Sequence, residues 1–331
     1  MTRLELLSAR LDQVDPALTE VEERLAAAVR GADRLTEEPA AHLSDAGGKR
    51  LRPLLTIVTA QLGSGVGDEV VRAAVAVELT HLATLYHDDI MDSAEVRRGV
   101  PAAHVVWGNN VAVLTGDLLF ARASSLVASL GAEAVMLHAA TFERLCLGQL
   151  HETVGPDEGS DEIEHYLRVL ADKTGSLIAA SAFYGARFSG AEAHLADAVS
   201  TFGEKVGVAF QLADDVIDVA SDTAESGKVP GTDLREGVAT MPVLLLRARR
   251  AAGTLDPAGE RALALLDGDL SGDAELAAAV EALRAHEVMA ESRAIARRWA
   301  DDAVAELAVL PDGEVKDALT DLATMLVDRI S

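Results

Sequence analysis

Apolar residues at Leu4, Leu7, Leu11, Val14, Leu18, Val21 and Leu25 recur in steps of three and four. That spacing predicts an amphipathic helical arm over residues 1–30, restarted at Pro16 after Asp15, with its stripe packed in the core or at a dimer interface. Gly47-Gly48 breaks the pattern ahead of a basic segment. Further helices are predicted over 53–62, stopping at Gly63-Ser64-Gly65, and over 69–91, 108–130, 133–151, 163–184 and 191–219. A charged loop fills 93–101, and 154–161 reads as loop through Gly155, Pro156 and Gly159. The longest irregular stretch is 220–240; loops of that length in compact domains are functional or mobile. Three or four helices fill 242–330. No alternation of strand period and no linker interrupts the chain, so a single all-α domain over 1–331 is expected.

Composition supports the helical reading. Hydrophobic residues make up 49% of the 331 positions but aromatic residues only 3%, so the core must be built of Ala, Leu and Val. Alanine and leucine are strong helix formers. The formal net charge of -25 argues against nucleic acid or another polyanion as partner. It also makes clusters of basic residues informative. The one cysteine, Cys146, allows no intrachain disulfide and is expected as a small core residue in a reducing cytoplasm. The most apolar region, 105–120, is interrupted by Asn109, Asn110 and Asp117, and the N-terminus lacks a signal-peptide core; no transmembrane segment is expected.

Two acidic clusters stand out against this background. Asp88-Asp89-Ile90-Met91-Asp92 and Asp214-Asp215-Val216-Ile217-Asp218 both read D-D-x-x-D inside apolar helical sequence. Residues four apart share a helix face, which pairs Asp88 with Asp92 and Asp214 with Asp218. Carboxylates in apolar surroundings are costly unless paired or bound to metal. A single such cluster could be an exposed acidic face. Two of them suggest opposed claws that hold divalent cations, and through them a diphosphate.

The basic residues complete the pattern. Lys49, Arg50 and Arg52 lie within Gly48-Lys49-Arg50-Leu51-Arg52-Pro53; the segment is either a solvated patch or a grip for an anion. Arg97 and Arg98 follow the first acidic cluster directly. His81 lies two helical turns before Asp88 on the same face, as a core histidine or a ligand. Lys173 and Thr174 sit in helical sequence, Gln211 shares a face with Asp214 and Asp218, and Lys228 lies in the long loop. Cations around a metal-bound diphosphate make it a good leaving group, and an allylic carbocation left behind needs a dry apolar pocket. Ala76, Thr80, Ala83 and Thr84 supply small residues for one.

Together these motifs resemble the trans-isoprenyl diphosphate synthase, or polyprenyl synthetase, family. The motifs, in order, are GKRLRP at 48–53, LYHDDIMD at 85–92 with RRG at 97–99, KTGSL at 173–177, FQLADDVID at 210–218 and GKVPGTDL at 227–234. The resemblance implies a helical bundle around a deep central cavity, the isoprenoid synthase fold, usually as a homodimer. It implies magnesium-dependent head-to-tail addition of isopentenyl diphosphate to an allylic prenyl diphosphate. Asp88, Asp92 and Asp214 would ligate magnesium, three ions with substrate bound, supported by Asp89, Asp215 and Asp218. Arg97, Lys173 and Lys228 would bind the allylic diphosphate, and Lys49, Arg52, His81 and Arg98 that of isopentenyl diphosphate. Thr174 and Gln211 would orient the substrate. Thr232 stands where the family often has a lysine, which weakens one phosphate contact.

Product length follows from what floors the cavity. The family's usual stop is an aromatic four or five residues before the first aspartate; here those positions are Thr84 and Ala83, with Thr80 and Ala76 below, all small. A medium- or long-chain all-trans product is expected, unless Phe120, Phe142 or Met136 supplies the plug. In that case a short-chain farnesyl or geranylgeranyl product results. Release of such a product would bring transient membrane contact. The competing readings are weaker. A ferritin-like di-metal bundle could use Glu78 with His81 and Glu162 with His165, but leaves both acidic clusters unexplained. A non-catalytic subunit would lack the aspartates, and a terpene cyclase or head-to-head condensing enzyme would not need the basic segment at 48–53.

Overall fold

Where the sequence repeats apolar residues at helical spacing, the chain is helical. The computed structural model describes residues 11, 13–30, 34–220 and 230–328. Helices α1 (Val14–Arg30), α2 (Arg34–Asp45), α3 (Leu51–Ala60) and α4 (Asp68–Met91) lead to a hairpin of β1 (Val96–Arg97) and β2 (Val100–Pro101). Then come α5 (Ala103–Trp107), α6 (Asn109–Ala128), α7 (Ala132–Val154), α8 (Glu162–Leu170) and a π-helical turn, Ala171–Gly175. Next are α9 (Ser176–Phe188), α10 (Ala193–Ala220), the short α11 (Thr232–Arg235) and α12 (Met241–Ala251). Finally α13 (Pro257–Leu266), α14 (Asp273–Arg284), α15 (Val288–Glu306) and α16 (Glu314–Val327) follow. The fold is all-α apart from that hairpin.

The described residues group into two compact units. One draws on 1–144, 176–203 and 306–319; the other draws on 145–175, 204–305 and 320–331. In the first, α4 is buried on nearly every side, which is why its sequence is apolar all round rather than striped. Full burial of a leucine such as Leu79 or Leu82 contributes about 1.5–3 kcal/mol. Helix α6 runs antiparallel along α4: Arg72 Nη1 donates to Ser129 Oγ at 2.7 Å near one end, and His87 Nε2 lies 3.2 Å from Val113 O near the other. Gly116 leaves room for the His87 ring. Helices α3 and α9 approach so closely that a methyl at Gly185 would collide with Thr56 O and Thr59 Oγ1. The second unit packs Val208, Leu212, Val216 and Val219 of α10 against Met241 and Leu246 of α12 and Leu276 and Leu283 of α14.

Several expectations are corrected. The helix expected over 163–184 is interrupted at Ala171–Gly175, where a side chain on Gly148 of α7 would meet the Lys173 amide nitrogen. The charged loop holds the hairpin, whose two-residue strands are too short to show alternation. Cys146 is exposed rather than in the core, because the α7 face that carries it is turned outward. Helix α6 is, by length and composition, apolar enough to cross a membrane; Asn109 and Asn110 occupy its first turn and do not divide it. Its Ala112, Thr115, Gly116, Leu119, Ala123 and Val127 are buried, while Val111, Val113 and Leu114 are exposed. Of the N-terminal stripe, Leu4 and Leu7 lie outside the described residues, whereas Leu11, Val14, Val21 and Leu25 are buried.

Candidate active site

The first acidic motif closes α4. Asp88 is half-buried, Asp89 is 1% exposed, and Asp92 is the exposed C-cap, its amide donating to Asp88 O at 2.8 Å. Asp89 turns inward and accepts from Arg97 Nε at 2.6 Å, tying the hairpin to the helix end. Its Oδ2 is buried without a hydrogen-bond partner. The inner carboxylate therefore clamps the arginine hairpin, while the two outer ones stand at the surface of the helix end.

The basic segment is braced rather than loose. Arg50 and Arg98 both adopt left-handed backbone, φ 49° and 54°, which side-chain-bearing residues rarely do. Arg50 Nη1 pairs with Glu78 Oε1 at 3.0 Å, and Arg50 also bonds Glu22. Arg98 donates to Leu43 O at 2.8 Å and to Gly47 O. Lys49 is exposed. Arg52 is half-buried with Nε unpartnered, and desolvation holds its pKa down to about 10, against the attraction of Glu78. Burial first, then the charges of Arg52, Arg98, Arg50 and Arg97, holds His81 well below its usual value, so it is neutral at pH 7. The sequence-predicted set Arg52, His81, Arg97 and Arg98 is thus brought into one electrostatic neighbourhood with Arg50.

The second motif lies near the end of α10. Asp214 is half-buried and Asp215 is 8% exposed. The Tyr166 hydroxyl of α8 hydrogen-bonds Asp215 Oδ2. Burial above all, with the charges of Asp233 and Asp214, pushes Asp215 up to about 8, against the opposing hydrogen bonds from Tyr166 and the Met241 amide. The phenol of Tyr166 is itself driven well above its usual range by burial and by Asp215. Asp218 accepts the Thr232 amide at 3.2 Å and the Asp233 amide at 3.3 Å, and so holds the loop that leads into α11. Thr232, where a lysine is often found, contributes that amide and is exposed.

Lys173 and Thr174 are half-buried in the π turn, and Lys173 Nζ is paired with Glu152 of α7. Gln211 is half-buried one turn before Asp214 and Asp215. Lys228 lies outside the described residues. Ala76, Thr80 and Ala83 are each 1% exposed and Thr84 is half-buried; Thr80 Oγ1 bonds Ala76 O at 2.8 Å. On α6, Phe120 stacks on Phe142 of α7 at 3.8 Å between ring centroids and on His138 at 5.2 Å. Met136 is exposed.

Sequence reasoning missed Tyr166 and Glu152, met Asp233 only as part of the late-loop motif, and noticed Glu78 only as part of a rival site. Tyr166 precedes Lys173 by two turns and Glu78 precedes His81 by one, so helical spacing was an available signal. Among the described residues, no three His, Cys, Asp or Glu side chains gather as a closed metal cage. The donor set is all carboxylate oxygen, and Asp89 Oδ2 lacks a partner.

A model of the polyprenyl synthetase family matches residues 33–282. The chain belongs to the polyprenyl synthetase family. Membership makes it a prenyltransferase that elongates prenyl chains. It is 48% identical over 317 residues to the nonaprenyl diphosphate synthase of Mycobacterium tuberculosis, covering 96% of this chain and 93% of that protein. Component 2 of the heptaprenyl diphosphate synthase of Geobacillus stearothermophilus is 35% identical, over 98% of this chain and 99% of its own. Among solved structures, the geranylgeranyl pyrophosphate synthase of Corynebacterium glutamicum, complexed with calcium and isoprenyl diphosphate, is similar with a TM-score of 0.86. Its identity is 41%, and 96% of each chain is covered. Within this prenyltransferase, all six aspartates of the two motifs and the basic segment fall inside the matched residues.

Proposed function

We propose that this prenyltransferase condenses isopentenyl diphosphate head-to-tail with an allylic prenyl diphosphate, acts as one synthase domain over residues 1–331, and makes a medium- or long-chain all-trans product in the cytoplasm. Asp88, Asp92 and Asp214 hold magnesium, three ions with substrate bound, and Asp89, Asp215 and Asp218 support them. Bound magnesium neutralises the charge that develops on the departing diphosphate. Arg97, Lys173 and Lys228 bind the allylic diphosphate; Lys49, Arg52, His81 and Arg98 bind the other. Neutral His81 contributes a hydrogen bond rather than a charge. Thr174 and Gln211 orient the prenyl chain, and the buried apolar face of α4 keeps water from the cation.

The observation that carries the chain-length reading is the run of Ala76, Thr80, Ala83 and Thr84, none of which could stop a growing tail. The similarity to a nonaprenyl synthase supports it. A short-chain product is the second reading. It is favoured by the Phe120–Phe142 stack between α6 and α7 and by the similarity to a geranylgeranyl synthase. Incubation with magnesium, isopentenyl diphosphate and geranylgeranyl diphosphate, followed by sizing, decides between them. Products longer than the primer support the first reading, and a failure to extend it supports the second. Ala83→Phe shortens the product if Ala83 lines the channel; an unchanged length removes it from the wall. Phe120→Ala lengthens the product if the stack is the floor.

The homodimer belongs to the same proposal. Val105, Val106, Val111, Val113, Leu114, Val135 and Met136 are all exposed in the first unit, and covering them with a second copy would remove apolar surface from water. Light scattering that gives a monomer mass would remove the dimer. Release of a long apolar product calls for transient membrane contact.

A further inference from the structure

Glu78 of α4 is 2% exposed and shares one oxygen, Oε1, between two arginines: Arg50 Nη1 at 3.0 Å and Arg98 Nη2 at 4.0 Å. The two come from opposite flanks. Arg50 lies within the basic segment as the N-cap of α3, and Arg98 is in the turn of the hairpin after the first acidic motif. Each is held further by backbone oxygens. Arg50 reaches Ser44 O at 3.2 Å, and Arg98 reaches Leu43 O at 2.8 Å. The Arg98 guanidinium also covers Gly48, where a side chain would stand 3.0 Å from Cζ. Both arginines carry strained left-handed backbone, so something must hold them in place. The buried Glu78 carboxylate, hydrogen-bonded to Arg50 and paired electrostatically with Arg98, supplies a tie common to both. What the brace leaves uncommitted is Lys49, exposed, and Arg52, with Nε unpartnered. His81 lies one turn beyond Glu78 on the same helix face.

We propose that Glu78 is a positioning residue for the diphosphate of isopentenyl diphosphate: it ties Arg50 and Arg98 to α4, and that brace sets where Lys49, Arg52 and His81 present themselves to the anion. The inference rests on the reading that these residues bind that diphosphate. Glu78 itself touches no substrate. Charge alone predicts the opposite behaviour. Glu78 is an anion beside an anion site, so neutralising it would tighten diphosphate binding if its role were electrostatic. Loss of the brace loosens binding instead.

Glu78→Gln keeps the size and removes the charge, so it separates the two. With the full chain, a saturating allylic substrate and varied isopentenyl diphosphate, the variant is expected to raise KM for isopentenyl diphosphate roughly tenfold or more. KM for the allylic substrate and kcat stay within about threefold. Direct titration of inorganic diphosphate, without metal, weakens in parallel. Glu78→Asp keeps the charge but falls short of both arginines, so positioning predicts that it behaves like Glu78→Gln. An unchanged or lowered KM in folded Glu78→Gln overturns the proposal, as does wild-type behaviour of Glu78→Asp. If Glu78→Gln fails to fold, as circular dichroism would reveal, Glu78→Asp alone carries the decision. Lys49→Ala in the wild-type background is the control for the underlying reading. If it leaves KM for isopentenyl diphosphate unchanged, the basic segment is not the site and the functional reading fails, whatever Glu78 does.

Discussion

The two D-D-x-x-D motifs have the same spelling but stand in different electrostatic surroundings. In both, the second aspartate is the buried one: Asp89 at 1% and Asp215 at 8% exposure. Asp89 is compensated by a cation, Arg97. Asp215 is hydrogen-bonded by the phenol of Tyr166, but burial above all, then the charge of Asp233, pushes its pKa up to about 8. The last aspartates diverge as well. Asp92 is an exposed helix end, whereas Asp218 is engaged by two loop amides. The inner aspartate of each motif is thus held within the fold, Asp89 by Arg97 and Asp215 by Tyr166. The first motif carries a counter-charge of its own in Arg97. The second carries a concentration of carboxylates that a divalent cation would relieve.

The largest test of this contrast is loss of the first aspartates. Asp88→Ala and Asp214→Ala are each expected to lower kcat by roughly a hundredfold to a thousandfold or more at saturating magnesium. Near-normal magnesium-dependent turnover in either would refute its assignment as a ligand. Next come the inner aspartates, compared in chelator by urea denaturation at pH 7. Asp89→Asn is expected to cost about 2 kcal/mol, because Arg97 loses its charged partner. Asp215→Asn should be neutral or stabilising, since burial already disfavours charge there. The reverse order would break the comparison.

Tyr166→Phe removes one hydrogen bond to Asp215. About 1 kcal/mol of stability and a few-fold loss of kcat are expected, with little change in either KM. An effect confined to KM for isopentenyl diphosphate would separate Tyr166 from the second motif. The smallest effect concerns His81. Its folded pKa is depressed, so the stability it preserves is present above the unfolded value of about 6.5 and is lost as pH falls through the lower folded value. His81→Gln should therefore flatten the decline of unfolding free energy below pH 6.5. A decline as steep as that of the wild type would place the responsible group elsewhere.

Much of this was legible in the sequence, and the reasons for the exceptions are physical. The stretch 69–91 announces itself as helix by apolar density and is found at Asp68–Met91. The motif residues were visible because carboxylates and guanidiniums are conspicuous in apolar sequence. Their partners were not. Tyr166 and Asp215 lie 49 positions apart, and Arg50 and Glu78 lie 28 apart; no local periodicity reports such pairings. The π turn was invisible because the backbone approach it makes, at Gly148, is to another helix. Cys146 was misplaced because a rule about residue type says nothing of which helix face is turned outward. The hairpin at 96–101 escaped because each strand has only two residues.

Gly185 shows how far from the phosphate end its geometry is set. With only a hydrogen at that position, α3 rests directly on the backbone of α9, and Arg52 sits in the first turn of α3. Adding one methyl there would wedge the two helices apart and tilt the guanidinium along with its helix. If Arg52 grips a substrate diphosphate as proposed, a screen for altered affinity should recover changes at 185, at the contact between α3 and α9.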